Sequence, residues 1–172
     1  MIKVLTVDDL NIVRQGIKVL LSEEPDIEII GSASNGSEAI KIIKSLEDKP
    51  DIALVDLLMP VMGGIKLTEE ISRQFPTIKV IIVSDLENKK VASCATKMGA
   101  RGYLLKNKLN TDNLVNAIHS VHNGYIQLDA EIVNTTIKNS LHFSPPSQAL
   151  KIGNSFDLTD KEQEKSLEDV WL

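Results

Sequence analysis

Asp8, Asp9, Asp56, Ser84 and Lys106 lie far apart in the chain, yet their side chains are the set that chemistry on a phosphoryl group needs. Three gathered carboxylates repel one another unless a cation sits among them. A site of oxygen ligands without His or Cys favours a hard ion, and a few carboxylates plus waters suit Mg2+. Such an ion also binds phosphoryl oxygens. Lys106 would add a second positive charge and Ser84 a hydrogen-bond donor. An aspartate carboxylate can itself be the nucleophile. The metal, the lysine and the hydroxyl would then stabilise charge on the group in transit, the main requirement of phosphoryl transfer.

These residues can act together only if the fold gathers them, and each follows a β-type run. Five such runs, at 2–7, 27–33, 51–55, 78–83 and 101–105, are rich in Val and Ile with little alternation, as in parallel strands buried on both faces. Helical spacing fills the gaps. The first helix offers Val13, Ile17, Leu20 and Leu21, and the second Ala39, Ile40, Ile43 and Leu46. Leu67, Ile71 and Phe75 mark the third, and Val91, Ala95 and Met98 the fourth. Leu114, Val115, Ile118 and Val121 mark the fifth. Asn35 is an N-cap with a capping-box partner in Glu38. Gly99 and Gly124 close the fourth and fifth helices, and Pro76 follows the third. The pattern is an α/β, doubly wound (βα)5 fold with a parallel sheet in the order 2-1-3-4-5, plus a linker and helical tail. Ligands bind such a sheet at the carboxyl edge, beside its switch point. Strand 1 ends in Asp8-Asp9, strand 3 in Asp56, strand 4 in Ser84 and strand 5 in Lys106.

The bulk properties set the boundaries. A chain of 172 residues holds one full domain and a tail, and 42% hydrophobic with 25% charged residues is ordinary for a globular protein. We place the domain at residues 1–124, a linker with a short helix at 125–157, and a last segment at 158–172. The linker helix would span 128–141 on Ile132, Val133 and Ile137, before Ser144-Pro145-Pro146-Ser147. Thr159 or Asp160 would cap the last segment. The single Cys94 excludes a disulfide framework and points to a reducing compartment. No apolar run nears the ~20 residues that span a bilayer, and the N-terminus lacks the pattern of a signal peptide. The expectation is a cytoplasmic protein without membrane association. Eight acidic residues against four lysines in 125–172 place most of the net charge of −5 in the tail, the wrong sign for a phosphate-backbone surface. Cys94 reads as a packed small residue, and His119 with His122 lacks a third ligand for a metal.

Asp8-Asp9, Asp56 with Met59-Pro60 and Gly63-Gly64, Ser84, and Lys106 after Gly102-Tyr103-Leu104-Leu105 together resemble the receiver domain of bacterial response regulators. The resemblance covers residues 1 to 124, and the run Gly99–Lys106 is most similar to the NarL/FixJ branch. It implies a CheY-like (flavodoxin-like) fold and phosphorylation of Asp56 by a sensor histidine kinase. It further implies Mg2+ held by Asp9, Asp56 and the backbone carbonyl of Leu58, with Asp8 acting through water. Ser84 and Lys106 would bind the phosphate. Ser84 and Tyr103 would form the switch pair, the hydroxyl moving to the phosphate while the ring turns inward. Two positions depart from the pattern. Asp85 stands where a small residue usually leaves the phosphate entrance open, and Asn107 replaces a frequent proline.

In the same branch a linker leads to a helix-turn-helix domain, and Leu158-Thr159-Asp160-Lys161-Glu162-Gln163-Glu164 is similar to the opening of its first helix. The recognition helix of that unit would need many further residues. Promoter DNA would therefore be reached only through an effector domain missing here, the chain being either a truncated piece or a protein that has lost its output domain. The alternative is a stand-alone switch acting by protein contact. An aspartyl-phosphate phosphohydrolase needs a second acid/base aspartate two residues after the nucleophile, and position 58 is Leu, so the expectation is a signalling switch and not an enzyme. Helix 1 and helix 5 are the faces through which a homodimer would form.

Overall fold

Buried-strand sequences demand cover on both faces, and the computed structural model supplies it with five helices. It describes residues 1–130 and Ile132. The strands are β1 (Ile2–Val7), β2 (Ile27–Ala33), β3 (Ile52–Val55), β4 (Lys79–Ser84), β5 (Ala100–Leu105) and β6 (Gln127–Leu128). Between them lie α1 (Asn11–Leu20), α2 (Gly36–Ser45), α3 (Gly64–Gln74), α4 (Lys89–Lys97) and α5 (Thr111–His122). Every strand pairing is parallel, in the order β2-β1-β3-β4-β5-β6.

Strand alternation sends side chains into two cores. Val4, Ile52, Leu54, Ile81, Val83 and Leu104 pack with Ile17 of α1 and Leu114, Ile118 and Val121 of α5. On the other face Leu5, Val7, Ala53, Val55, Ile82 and Leu105 meet Ile43 of α2, Leu67 and Ile71 of α3, and Val91 and Ala95 of α4. Burial of a side chain of this size stabilises by roughly 1.5–3 kcal/mol, so the strand ends are set by a rigid sheet.

The caps follow the sequence with one shift. Asn35 Oδ1 accepts the Glu38 amide, whereas the Glu38 carboxylate reaches back one residue further than a capping box requires, to the amide and hydroxyl of Ser34. Both bonds hold the Glu38 carboxyl below its ordinary range. Asn88 and Asn110 cap α4 and α5. Gly99 takes φ +110°, and a Cβ there would also meet Ser72 Oγ at 2.1 Å, so a glycine is needed to close α4 against α3.

A sixth strand lies within the segment expected as a linker: Gln127 and Leu128 pair with Gly102 and Tyr103 and extend the sheet beyond residue 124. Two residues are too short for a periodic signal, which explains why this strand is invisible in the sequence. Ile132 is buried in the same core as Tyr103. The rest of the expected 128–141 helix, the Pro-Pro linker and the 158–172 segment lie outside the described residues. No helix among the described residues is long and apolar enough to cross a membrane.

Candidate phosphoryl and metal site

The carboxyl ends of β1, β3, β4 and β5 deliver the expected residues to one place. Asp8 is aligned by its own strand order: its amide donates to Ala33 O (3.1 Å), and its carboxylate Oδ1 accepts the Leu10 amide at 2.9 Å. The Asp56 amide donates to Val7 O at 2.8 Å, so β1 sets the height of both carboxylates. Oxygens of Asp8, Asp9 and Asp56 all lie within 4.8 Å of one another, the one group of this kind among the described residues. Asp8 and Asp56 are buried and Asp9 is exposed. This hard, all-oxygen donor set fits Mg2+, the ion expected from the sequence.

Lys106 bridges two of the three carboxylates. Its Nζ stands 2.8 Å from Asp8 Oδ2 and 3.2 Å from Asp56 Oδ1, with little exposure of any partner. Both Asp8 oxygens are thus already bonded, one to Lys106 and one to the Leu10 amide. Leu58, the expected carbonyl ligand, follows in the β3–α3 loop with its side chain half exposed. The next loop residue but two, Val61, takes φ 68°, a left-handed conformation uncommon for a β-branched residue.

Burial dominates the electrostatics of Asp56. It raises the carboxyl from 3.8 to about 6, opposed by the charge and hydrogen bond of Lys106 and by the Leu57 amide, and reinforced by the charge of Asp8. For Lys106 burial works against the charge, but the Asp8 hydrogen bond and the charges of Asp56 and Asp8 outweigh it and raise the ammonium. A carboxyl raised on folding binds its proton more tightly in the folded state. Its contribution to stability is full below about pH 3.8 and is lost as pH rises through about 6. In chelator, the stability difference between the protein and Asp56→Asn should therefore shift by up to about 3 kcal/mol between pH 4 and 7. Saturating Mg2+, which favours the carboxylate, should flatten that difference. Thermal melts across pH measure both.

Ser84 and Tyr103 meet at Leu86. Ser84 Oγ accepts the Leu86 amide (3.1 Å), and the Tyr103 hydroxyl donates to the Leu86 carbonyl at 2.7 Å. Burial raises the Tyr103 phenol, a hydrogen bond with Ser84 opposes the shift, and the charge of Asp56 adds to it. The resemblance implied that the ring turns inward when phosphate arrives. Here it is already inside, 1% exposed, within the core that also holds Leu105 and Ile132. Asp85, the next residue after Ser84, is exposed. Asn107 lies in a single 3-10 turn, Lys106–Lys108, so the loop closes without the frequent proline.

Four contributors were not legible as such. Arg14 of α1 donates through Nη1 to the Asp8 carbonyl at 2.5 Å and through Nη2 to Asn11 Oδ1, bracing the acidic loop. Gly64 brings the first turn of α3 so close that a Cβ would lie 2.1 Å from the Asp56 carbonyl oxygen. Met62 O accepts the Gly36 amide, tying the β3–α3 loop to α2. Asp129, after β6, accepts the Leu105 amide through Oδ2 at 2.6 Å. Gly63-Gly64 enters the sequence reading only as part of the receiver pattern, and Arg14 and Asp129 carry no signal in one sequence. His119, discounted as a ligand, faces Asp26 at 3.4 Å.

Residues 4–119 match the family model described as "Response regulator receiver domain". The chain is 34% identical over 167 residues to the transcriptional regulatory protein LnrK of Bacillus subtilis, covering 95% of this chain and 74% of LnrK. A two-component response regulator of the LuxR family from Aurantimonas sp. SI85-9A1 superimposes with TM-score 0.74 at 26% identity, over 81% of this chain and 98% of that one. A chain from the CheX–CheY–BeF3–Mg2+ complex of Borrelia burgdorferi matches with TM-score 0.65 at 27% identity, over 70% of this chain and 88% of that one.

Proposed function

Because this chain belongs to the response regulator receiver domain family, we propose that Asp56 accepts a phosphoryl group from a sensor histidine kinase, with Mg2+ present, and that the domain switches in response. The observation that carries the reading is the salt bridge of Lys106 to both Asp8 and Asp56 at the edge of three carboxylates. The ammonium offsets the charge of two buried carboxylates and stands against Asp56, the residue that would be phosphorylated.

Mg2+, when bound, supplies the charge that shields the carboxylates and binds phosphoryl oxygens. Asp9 and Asp56 would hold it directly with the Leu58 carbonyl, and Asp8 through water. The chain's own residues do the rest. Asp56 attacks phosphorus and displaces the donor's leaving group, while Lys106 neutralises charge on the transferred oxygens. The complex that holds the similar Borrelia burgdorferi chain was crystallised with beryllofluoride and Mg2+, which supports the same chemistry in this pocket.

The switch begins at the Ser84 hydroxyl. A phosphoryl group at Asp56 offers the hydroxyl a charged acceptor to donate to, and turning Ser84 toward it draws Oγ away from the Leu86 amide, whose hydrogen bond it now accepts. Tyr103 holds the other end of Leu86, so the β4–α4 loop is biased toward a second arrangement. The domain works as a signalling switch, with catalysis limited to its own phosphorylation and dephosphorylation. LnrK is a transcriptional regulator, and control of transcription through a DNA-binding effector is the output that this relative favours. Residues 1–124 supply the phosphoacceptor chemistry in this reading, 125–157 the connection and 158–172 the start of the effector. A homodimer through α1 and α5 would be the form that presents two effectors.

Asp85 tunes access. An exposed carboxylate next to Ser84 repels anionic donors, so Asp85→Ala should be phosphorylated by acetyl phosphate roughly two- to tenfold faster at low salt, and less so at high salt. Equal rates at low salt would remove that role. The main test is incubation with Mg2+ and acetyl phosphate followed by intact mass and peptide mapping. A phosphoryl mass shift on the Asp56 peptide, absent in Asp56→Asn and without Mg2+, is expected. A shift that survives the substitution sinks the reading.

A further inference from the structure

The segment beyond α5 reaches back to the two residues on which the site depends. Asp129 Oδ2 accepts the Leu105 amide at 2.6 Å, and the Asp129 amide donates to the Tyr103 carbonyl at 3.1 Å. Leu105 directly precedes Lys106, and Tyr103 is the buried ring beside Leu86. The side chain thus grips the end of β5 at the point where the chain leaves the sheet and the lysine must be aimed. β6 pairs with Gly102 and Tyr103 just before this grip, and a Cβ at Gly102 would meet the Gln127 carbonyl at 3.3 Å. The Ile132 amide donates to the Asp129 carbonyl, and Ile132 is buried beside Leu105 and Tyr103. Asp129 is therefore fixed at its amide, by Tyr103, and at its carbonyl, by the anchored Ile132.

A backbone amide needs only a neutral acceptor, which a strand or a water would supply at an ordinary sheet edge. A carboxylate makes the stronger, charge-assisted bond. Its placement one residue before the phosphate-facing ammonium does more than end a strand. The register of β5 decides whether Nζ lies between Asp8 and Asp56, and a slip of one residue would turn Lys106 to the other face.

Resting on the phosphoryl-acceptor reading above, we propose that Asp129 is a positioning residue of the site: from beyond the receiver's last helix it locks the Leu105 amide, and so the placement of Lys106 and Tyr103, coupling the chain that follows to the phosphorylation state. The coupling is reciprocal. Phosphorylation that draws on Lys106 or shifts Tyr103 loosens or tightens the grip on 127–132, and displacement of that segment weakens phosphorylation.

The test compares the full chain with Asp129→Ala and Asp129→Asn, with acetyl phosphate as donor and hydrogen exchange at the Leu105 amide as local readout. Asp129→Ala should lower the maximal phosphorylation rate roughly fivefold, the worth of one good hydrogen bond. The Mg2+ concentration for half-maximal rate should stay unchanged, because the carboxylates near the ion come from β1 and β3. The Leu105 amide should lose protection while the amides of β1 and β3 keep theirs. Asp129→Asn retains an acceptor and should restore the rate to within about twofold of the unaltered protein. If Asp129→Ala does not fold, Asp129→Ser replaces it, since serine can open the turn that Ile132 closes but is too short to reach Leu105. An unchanged rate in the alanine or serine variant overturns the proposal and leaves the Asp56 reading intact. So does a loss that asparagine fails to rescue, or one that tracks global unfolding. Absence of Asp56 phosphorylation in the unaltered chain overturns both, and is distinguished by the Asp56→Asn control.

Discussion

Replacing Lys106 with alanine will slow phosphorylation of Asp56 by acetyl phosphate by roughly a hundredfold or more, the range seen when one preorganised charge-stabilising donor is removed. Two effects act together. The ammonium that faces both Asp8 and Asp56 is lost, so nothing neutralises the transferred oxygens from that side. Asp56 also loses the partner that restrains its carboxyl, which then rises above about 6 and leaves less nucleophile near neutral pH. Mg2+ should bind as well as before or better, since a neighbouring cation has been removed. The rate should fall at saturating Mg2+, measured by intact mass against time. A rate within twofold of the unaltered protein, in a variant that still binds Mg2+, would show that Lys106 is only a structural counter-ion. Stability should fall too without metal, because two buried carboxylates are left facing each other.

Gly64→Ala should be the most damaging single methyl in the domain. Alanine usually stabilises a helix position relative to glycine by about 0.4–1 kcal/mol. Here the added Cβ would sit 2.1 Å from the Asp56 carbonyl oxygen and 2.8 Å from Leu57 Cα, both backbone atoms that cannot turn aside. The Gly64 amide also donates to Leu57 O at 2.9 Å, and Thr68 Oγ1 donates to Gly64 O at 2.7 Å, so α3 is tied where it is. Relief requires that α3 or the phosphoacceptor strand move. We expect a loss of about 3 kcal/mol, at the upper end of overpacking costs, and a fall in melting temperature of about 10 °C. Phosphorylation at a temperature where the variant is folded should drop as well, since the displaced atom belongs to Asp56 itself. Gly16→Ala, inside α1 with open space around the same methyl, should raise the melting temperature slightly and leave phosphorylation unchanged. A melting temperature for Gly64→Ala equal to that of the unaltered protein would refute the close approach.

The two substitutions differ in how visible their reasons are before the fold is known. Lys106 stands at the end of an apolar run that must be a buried strand, and the rule that parallel sheets bind at their carboxyl edge places it with Asp8, Asp9, Asp56 and Ser84. Their meeting follows from periodicity together with that rule, because each strand end is set by where its own apolar run stops. The order β2-β1-β3-β4-β5 rests on doubly wound topology rather than on a local signal, whereas the caps at Asn35, Gly99 and Gly124 have signals within a few residues of the element they punctuate.

Local pattern alone carries five parallel strands, five helices and the carboxylate, hydroxyl and ammonium at the strand ends. Contacts between distant, unpatterned positions emerge only when the elements pack together. The two-residue strand β6 is too short to carry a period, so Asp129 looked like part of a linker until its carboxylate met the Leu105 amide. The inward Tyr103 ring depends on core space shared with Ile132, and the Arg14 brace on a helix turning its side chain under a loop. Such contacts are set by the packing of separately specified elements against one another, and packing is a property of the whole fold rather than of any window of it.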